Sequence, residues 1–481
     1  MSGCDRTDPR PAHLVSHRVS RRPRGAWLAA PLLLSLACRA TSAVGPVVRH
    51  VDVDGDGRTD RFEVVAAGGG PERLIEAPRP GSNPDSVLVV AIDAVPYEIF
   101  ADLQREGLFK PFFPASRMVA PFPSLTNISF TALFKTRPSA AYEDRFYDSV
   151  ENRIGGGMVD RLTNKYKEFT GFHSLFDWEE PHLWGGAAYF IPERVSGAEL
   201  LEFERQLDSR DEPELVLYLG SPDPLGHMLG RSALKEYLRH VDRLLEAYLT
   251  AGGGARRVVL FSDHGMSEAP SRRFELDRAL EDGGFNLRDR IESPQDVVAP
   301  AYGLVGSVQL YTWCGSEEAV ARAIVQQSGA DFAVWLDRDS VRAVDRAGNL
   351  ELEDRPSDEY PNLVERVHRA LTNHTQRPAS VLVSLDDGYH YGSRLFDRIV
   401  QLQGTHGSAR YTSSVGFLAS NVDRTPEWLP AEDVHPYLGL ARPPESDVRI
   451  AARCYGGPNG AERAVDPKGS PSTISSITVE D

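Results

Sequence analysis

The sequence predicts an α/β fold, a mostly parallel central sheet flanked by helices with a small α/β insertion, and three observations predict it. Unbroken apolar runs end the segments Ser86–Ile92, Glu214–Leu219 and Val258–Phe261, and such runs read as strands buried on both faces. A helical pattern opened by Ser232, with Leu234, Leu238, Val241, Leu245 and Leu249 on one face and Gly252 at its end, joins the second run to the third. Strand, helix, strand in that order is a crossover unit. Each run also stops at residues that can do chemistry: Asp93, then Asp223 with His227, then Asp263 with His264. Open α/β sheets place their ligands at that carboxyl edge.

The chain has 481 residues, more than one core usually needs, and carries a net charge of -16. That balance excludes a nucleic-acid-binding surface, which needs dense positive charge. Arg18, Arg21, Arg22 and Arg24 precede the apolar run Ala26–Ala37, a charged segment followed by an apolar one too short to span a bilayer. Residues 1–43 are therefore expected to be a signal segment, cut after Ala43, with Cys38 as an alternative lipid-anchor site. No later stretch is long and apolar enough for a membrane helix, so the expected locations are periplasmic, secreted or lipid-anchored at the cell surface. Cys314 and Cys454 would then sit in an oxidising compartment, and sequence alone leaves their pairing open.

Residues 44–84 read as a calcium-loop segment and linker. Asp52, Asp54, Asp56, Arg58, Asp60 and Glu63 fall in a stretch that fits D-x-[DN]-x-[DN]-G-x5-E, with Gly57 at the sharp turn. Oxygen donors at that spacing suit one Ca2+. The flanks Val47-Val48 and Phe62–Val65 look like strands, not the long helices of an EF-hand. Residues 68–84 are rich in Gly and Pro and read as a linker.

The catalytic fold is expected over 85–266 and 386–440. Pro123-Ser124 before Thr126-Asn127 is a turn feeding a helix through Phe130 and Leu133. A hydroxyl at a helix start meets free N–H groups and the positive dipole end, which suits either a cap or a nucleophile. The aromatic stretch 136–197, with His173 and His182, reads mainly as core. Asp223 and His227 stand four apart across a Pro/Gly stretch and form a chelating pair with zinc-type donors, presented by a loop. Residues 267–385 read as a partly inserted α/β region with strands near Val308 and Phe332 and a helix from Glu317 to Gln326. His406, between Gly404 and Gly407, completes a ligand set, and residues 441–481 read as a tail.

The ligands divide into two centres. Asp223, His227 and His406 would hold one metal; Asp93, Asp263, His264 and the Thr126 oxygen would hold the other. Two zinc-like ions roughly 4 Å apart suit in-line displacement at phosphorus. In order along the chain, Ala91-Ile92-Asp93, Pro123-Ser124-Leu125-Thr126, Pro222-Asp223 with Gly226-His227, Ser262–Met266 and Gly404–Gly407 resemble the alkaline phosphatase superfamily. Within it, the chain is most similar to the type I phosphodiesterase/nucleotide pyrophosphatase branch. The resemblance implies two Zn2+, a covalent phosphothreonine at Thr126, a small phosphate-ester substrate, and hydrolysis with phosphodiester or pyrophosphate bonds favoured. It departs at Asn127-Ile128-Ser129, Lys135–Pro138 and Ala141–Glu143, so nucleotide specificity is not carried over. No Cys-x-Pro-x-Arg motif supports a sulfatase. The alternatives are a phosphomonoesterase on the same site and a non-catalytic calcium-dependent surface module.

Overall fold

Seven strands form the central sheet, in the order Trp428–Pro430, Ser116–Val119, Val415–Ser420, Arg257–Phe261, Val87–Ile92, Glu214–Leu219 and Trp178–Glu179. Four of the neighbouring pairs are parallel; the two made by Val415–Ser420 are antiparallel. The computed structural model describes residues 47–65, 71–157, 170–181, 186–209, 212–251, 256–441 and 453–456. The expected signal segment, Cys38, His182 and most of the expected tail lie outside them.

The two-sided burial expected of the apolar runs follows from strand alternation. Leu88, Val90 and Ile92 pack on one side of the sheet, with Leu234, Leu238, Val241, Leu245 and Leu249 of the helix Arg231–Ala251. Val87, Val89 and Ala91 face the other side, with Phe130, Leu133 and Phe134 of the helix Thr126–Phe134. The crossover from Glu214–Leu219 to Arg257–Phe261 spans Val87–Ile92, so three parallel strands lie side by side at the centre. Their carboxyl ends carry the predicted site residues.

Between residues 267 and 385 the chain builds a second seven-stranded sheet, ordered Asn286–Leu287, Asp296–Val298, Ser307–Thr312, Val381–Leu385, Ala330–Asp337, Ser340–Asp345 and Gly348–Asn349. The helices Leu276–Asp282 and Glu317–Ile324 cover one face through Leu280, Val320 and Ile324. Leu363–Thr372 covers the other, in a cluster that also takes in Phe122, Leu125 and Ile128 beside Thr126. Cys314 and Cys454 form a disulfide.

The segment read as a linker contains a strand. Pro71–Glu76 is the third member of an antiparallel sheet with Val47–Val51 and Arg61–Val65. Proline is tolerated as the first residue of an edge strand, and Ile75 is buried beside Phe62, which its Gly/Pro surroundings hid.

Glu432, in a short turn after Trp428–Pro430, lies 3.1 Å from Arg369 Nη1 and 3.3 Å from His374 Nε2, within ion-pair distance of both. Burial pushes its carboxyl up, but His374 and Arg369 outweigh it and hold it down to about 2, against an ordinary 4.5. A carboxyl depressed in the folded state stabilises above its unfolded pKa, and that stability drains away as pH falls from about 4.5 through 2. Glu432→Gln is therefore expected to be less stable than wild type near neutrality, with the gap closing through this window. Urea unfolding at a series of pH values measures it; a gap independent of pH refutes the ion-pair account.

Candidate active site

Asp93 follows the strand Val87–Ile92 directly, and Asp263 and His264 follow Arg257–Phe261. Asp223 and His227, expected on a loop, stand instead on a helix, Pro222–Leu229. Pro222 opens the helix and Pro224 falls within its first turn, where backbone N–H groups have no intrahelical partner, so neither proline removes a helical bond. Gly226 is a packing requirement: a Cβ there would meet Met266 Sδ at 2.5 Å. The four-residue spacing then puts Asp223 and His227 on one helical face.

The six residues form two groups. One donor atom each from Asp223, His227 and His406 lies within 4.8 Å of the others, and the same holds for Asp93, Asp263 and His264. Asp223 Oδ1 is 3.1 Å from His227 Nε2 and 3.3 Å from His406 Nε2. His264 Nε2 is 3.3 Å from Asp263 Oδ2 and 3.7 Å from Asp93 Oδ1. The His264 and His406 rings stack with centroids 4.0 Å apart, so the groups are neighbours. Thr126 Oγ1 lies 3.4 Å from His264 Nε2.

The protons in this site are placed by its carbonyls. His227 Nδ1 faces Gly404 O at 2.8 Å, His406 Nδ1 faces Ser124 O at 3.0 Å, and His264 Nδ1 faces Gly265 O at 2.9 Å. A carbonyl can only accept, so each Nδ1 carries a proton and, in the neutral ring, each Nε2 presents a lone pair. Burial, together with His406, drives His264 down to about 4 and keeps it neutral. Opposite these nitrogens, Asp93 Oδ1, Asp223 Oδ1 and Asp263 Oδ2 are buried without a hydrogen-bond partner. Burial, Asp263 and Asp223 push the Asp93 carboxyl well up, whereas the positive charge that His227 and His406 carry when protonated, with no cation between them, overcomes burial and holds Asp223 well down. Unpaired buried carboxylate oxygens facing imidazole lone pairs are the donor set of a divalent cation such as zinc.

Thr126 is the first residue of its helix, and Leu125 occupies the cap position without a side-chain cap bond. The hydroxyl is thus free of capping and points toward His264.

Three supporting residues escaped the sequence analysis. Tyr218 donates its hydroxyl to Asp93 Oδ2, and Tyr189 donates to Asp223 Oδ2 at 2.9 Å. Arg366, buried, donates to Pro121 O and Ser124 Oγ on one side and Ala409 O at 2.9 Å on the other, so it ties the Thr126 turn to the His406 loop. Burial lowers its guanidinium to about 9.

At the N-terminal loop, Asp52, Asp54 and Asp60 come together. Gly55 N–H and Gly57 N–H donate to the Asp52 carboxylate at 2.7 and 2.9 Å. The remaining expected residues are held by other partners. Asp56 pairs with Arg424 at 2.6 Å and Glu63 with Arg61 at 3.4 Å. The Arg58 guanidinium is buried against Pro78 O and Asn421 O and itself pairs with Asp60 Oδ1 at 2.9 Å, so it already occupies one carboxylate of the cluster.

A mostly parallel sheet with two carboxylate–imidazole groups and a helix-start hydroxyl at its carboxyl edge defines an α/β protein with two candidate metal centres. Residues 191–409 match the family described as type I phosphodiesterase/nucleotide pyrophosphatase. The span includes Asp223, His227, Asp263, His264 and His406; Asp93 and Thr126 lie before it. No curated protein matches the sequence significantly. Among solved structures, murine ectonucleotide pyrophosphatase/phosphodiesterase 5 is similar at 16% identity and TM-score 0.45, over 73% of this chain and 94% of that one. Phosphonoacetate hydrolase from Sinorhizobium meliloti 1021, in complex with phosphonoformate, is similar at 13% identity and TM-score 0.48, over 79% and 98%.

Proposed function

We propose that the protein is an exported hydrolase of phosphate esters, favouring phosphodiester or pyrophosphate bonds, that works through a covalent phosphothreonine at Thr126. One observation carries this reading: three unpaired carboxylate oxygens, from Asp93, Asp223 and Asp263, face three imidazole Nε2 atoms beside the Thr126 hydroxyl.

Asp223, His227 and His406 would hold one divalent cation, and Asp93, Asp263, His264 and Thr126 the other. Two such ions, zinc by donor type, supply charge to a phosphoryl group and to the oxygens entering and leaving it. The chain's own part is positional. Thr126 Oγ1 attacks phosphorus, the ester P–O bond breaks, and the leaving alcohol takes up a proton. Water then cleaves the phosphothreonine and restores the hydroxyl. Tyr189 and Tyr218 fix the carboxylates, and the carbonyls of Gly404, Ser124 and Gly265 fix the rings.

Export is supported by the basic and apolar N-terminal segments and by the Cys314–Cys454 disulfide, which suits an oxidising compartment. Among the described residues, no helix is long and apolar enough to cross a membrane. The loop of Asp52, Asp54 and Asp60 would take one Ca2+.

With zinc-loaded protein, a nitrophenyl phosphodiester is expected to be cleaved with kcat/KM at least about tenfold above the matching monoester, ~1.4 kcal/mol of transition-state preference. A monoester preference would overturn the diester assignment; turnover of neither would overturn general phosphoesterase activity.

A further inference from the structure

Arginines gather at one place in an otherwise acidic chain of net charge -16. A cleft of about 430 Å³ is lined by Arg145, Arg273, Arg288 and Arg394, and Asp289 is its one lining carboxylate. This volume is in the range of small-ligand pockets.

The four guanidinium groups are held differently. Arg145 Nη1 donates to Ala301 O at 3.2 Å, and Arg273 Nη1 donates to Gly392 O at 3.0 Å with Asp397 3.9 Å away. Arg394 pairs with Asp277. Arg145 and Arg288 have no carboxylate partner among the described residues. The Arg273 guanidinium lies over Tyr391, 5.2 Å from its ring centroid. Burial pushes that phenol up to about 12, against the pull of Arg273, Arg394 and Arg145. Guanidinium forks match the oxygens of a phosphate bidentately, and several around one cleft suit a doubly charged group.

The cleft adjoins the candidate active site along two short paths. Arg145 follows Asp144, whose carboxylate accepts from Asn127 Nδ2 at 3.1 Å, and Asn127 follows Thr126. Ala301, which accepts from Arg145, leads through Leu304–Val305 to Gly306, whose N–H donates to His406 O at 2.5 Å.

We propose that this cleft is a second anion site, adjacent to the two carboxylate–imidazole groups, that binds a phosphate monoester dianion. The dianion is either a further phosphate carried by the substrate of the proposed reaction or free inorganic phosphate.

Calorimetric titration of zinc-loaded protein with inorganic phosphate tests it without turnover, so its failure is distinct from failure of the hydrolase reading. Wild type is expected to bind at two sites. Arg288→Gln, at an exposed position, weakens one site several-fold, and the Arg145→Gln/Arg288→Gln pair weakens it by at least about tenfold. Unfolding temperatures check that both variants are folded. A single phosphate site in wild type, or two sites undiminished in both variants, overturns the proposal. The source is read from KM for a nitrophenyl diester bearing an extra phosphate against the plain diester. A KM that rises in Arg288→Gln for the phosphate-bearing ester alone assigns the cleft to substrate. Equal KM changes alongside the lost titration assign it to free phosphate.

Discussion

Thr126→Ala is expected to lower turnover of a phosphodiester by about 10⁴-fold or more while zinc content stays at the wild-type level, since loss of a nucleophile elsewhere costs effects of this size. The substitution is a clean probe because of where the residue sits. Leu125, not Thr126, occupies the cap position, and no side-chain cap bond is lost. Among the described residues, the hydroxyl's one side-chain partner is His264 Nε2, at 3.4 Å. Alanine is also a good helix former at such a position, so stability should change by less than about 1 kcal/mol. Thr126→Ser keeps the hydroxyl and is expected to retain measurable turnover and to trap labelled phosphate on Ser in a quenched reaction. A Thr126→Ala rate within about tenfold of wild type would remove the nucleophile assignment while leaving the metal reading standing.

What the sequence made legible is what the central strands dictate. Six adjacent apolar residues in Val87–Ile92, split between two cores, leave no other place for Asp93 than the strand's carboxyl end. The same logic placed Asp263 and His264. His406 was found only because Gly404 and Gly407 flank it and a set lacked a member. The helical setting of Asp223 and His227 was hidden because Pro and Gly signal loops on average. At the first turn proline is harmless, and Gly226 is small only to admit Met266. Tyr189, Tyr218 and Arg366 carried no signal. Tyr218 sits in a strand of apolar neighbours, and Arg366 lies three residues from the surface-paired Arg369 in the same helix. Their roles depend on partners more than 30 residues away, which no local pattern encodes. Edge strands of two residues, Asn286–Leu287 and Gly348–Asn349, are too short to show any alternation, so much of the second sheet was invisible.

Asp263→Asn is expected to reverse its effect on stability according to whether metal is present. Without divalent ions, the wild-type site keeps three buried carboxylate oxygens unpaired, and Asp263 and Asp223 both push the Asp93 carboxyl up after burial has done so. Asparagine removes one of those charges. Its Oδ1 can still accept from Ala94 N–H, now at 3.1 Å, and its amide can donate to His264 Nε2, which faces Oδ2 at 3.3 Å. Chelated Asp263→Asn should therefore unfold at a higher temperature than chelated wild type. With zinc, a site bound at 1,000 times its Kd gains about 4 kcal/mol, and the variant forfeits most of that at one of two centres. Zinc-loaded wild type should then be the more stable protein, the variant should hold close to one equivalent in place of two, and its diesterase rate should fall at least about 10²-fold, in line with the loss of a metal-orienting group. Thermal unfolding of both proteins, with chelator and with zinc, reads the crossing directly. A buried polar cluster with no metal role predicts parallel shifts: asparagine would help or harm by the same amount in both conditions, and zinc would move neither protein. The crossing thus separates a cation site from an ordinary hydrogen-bonded core, independently of any substrate.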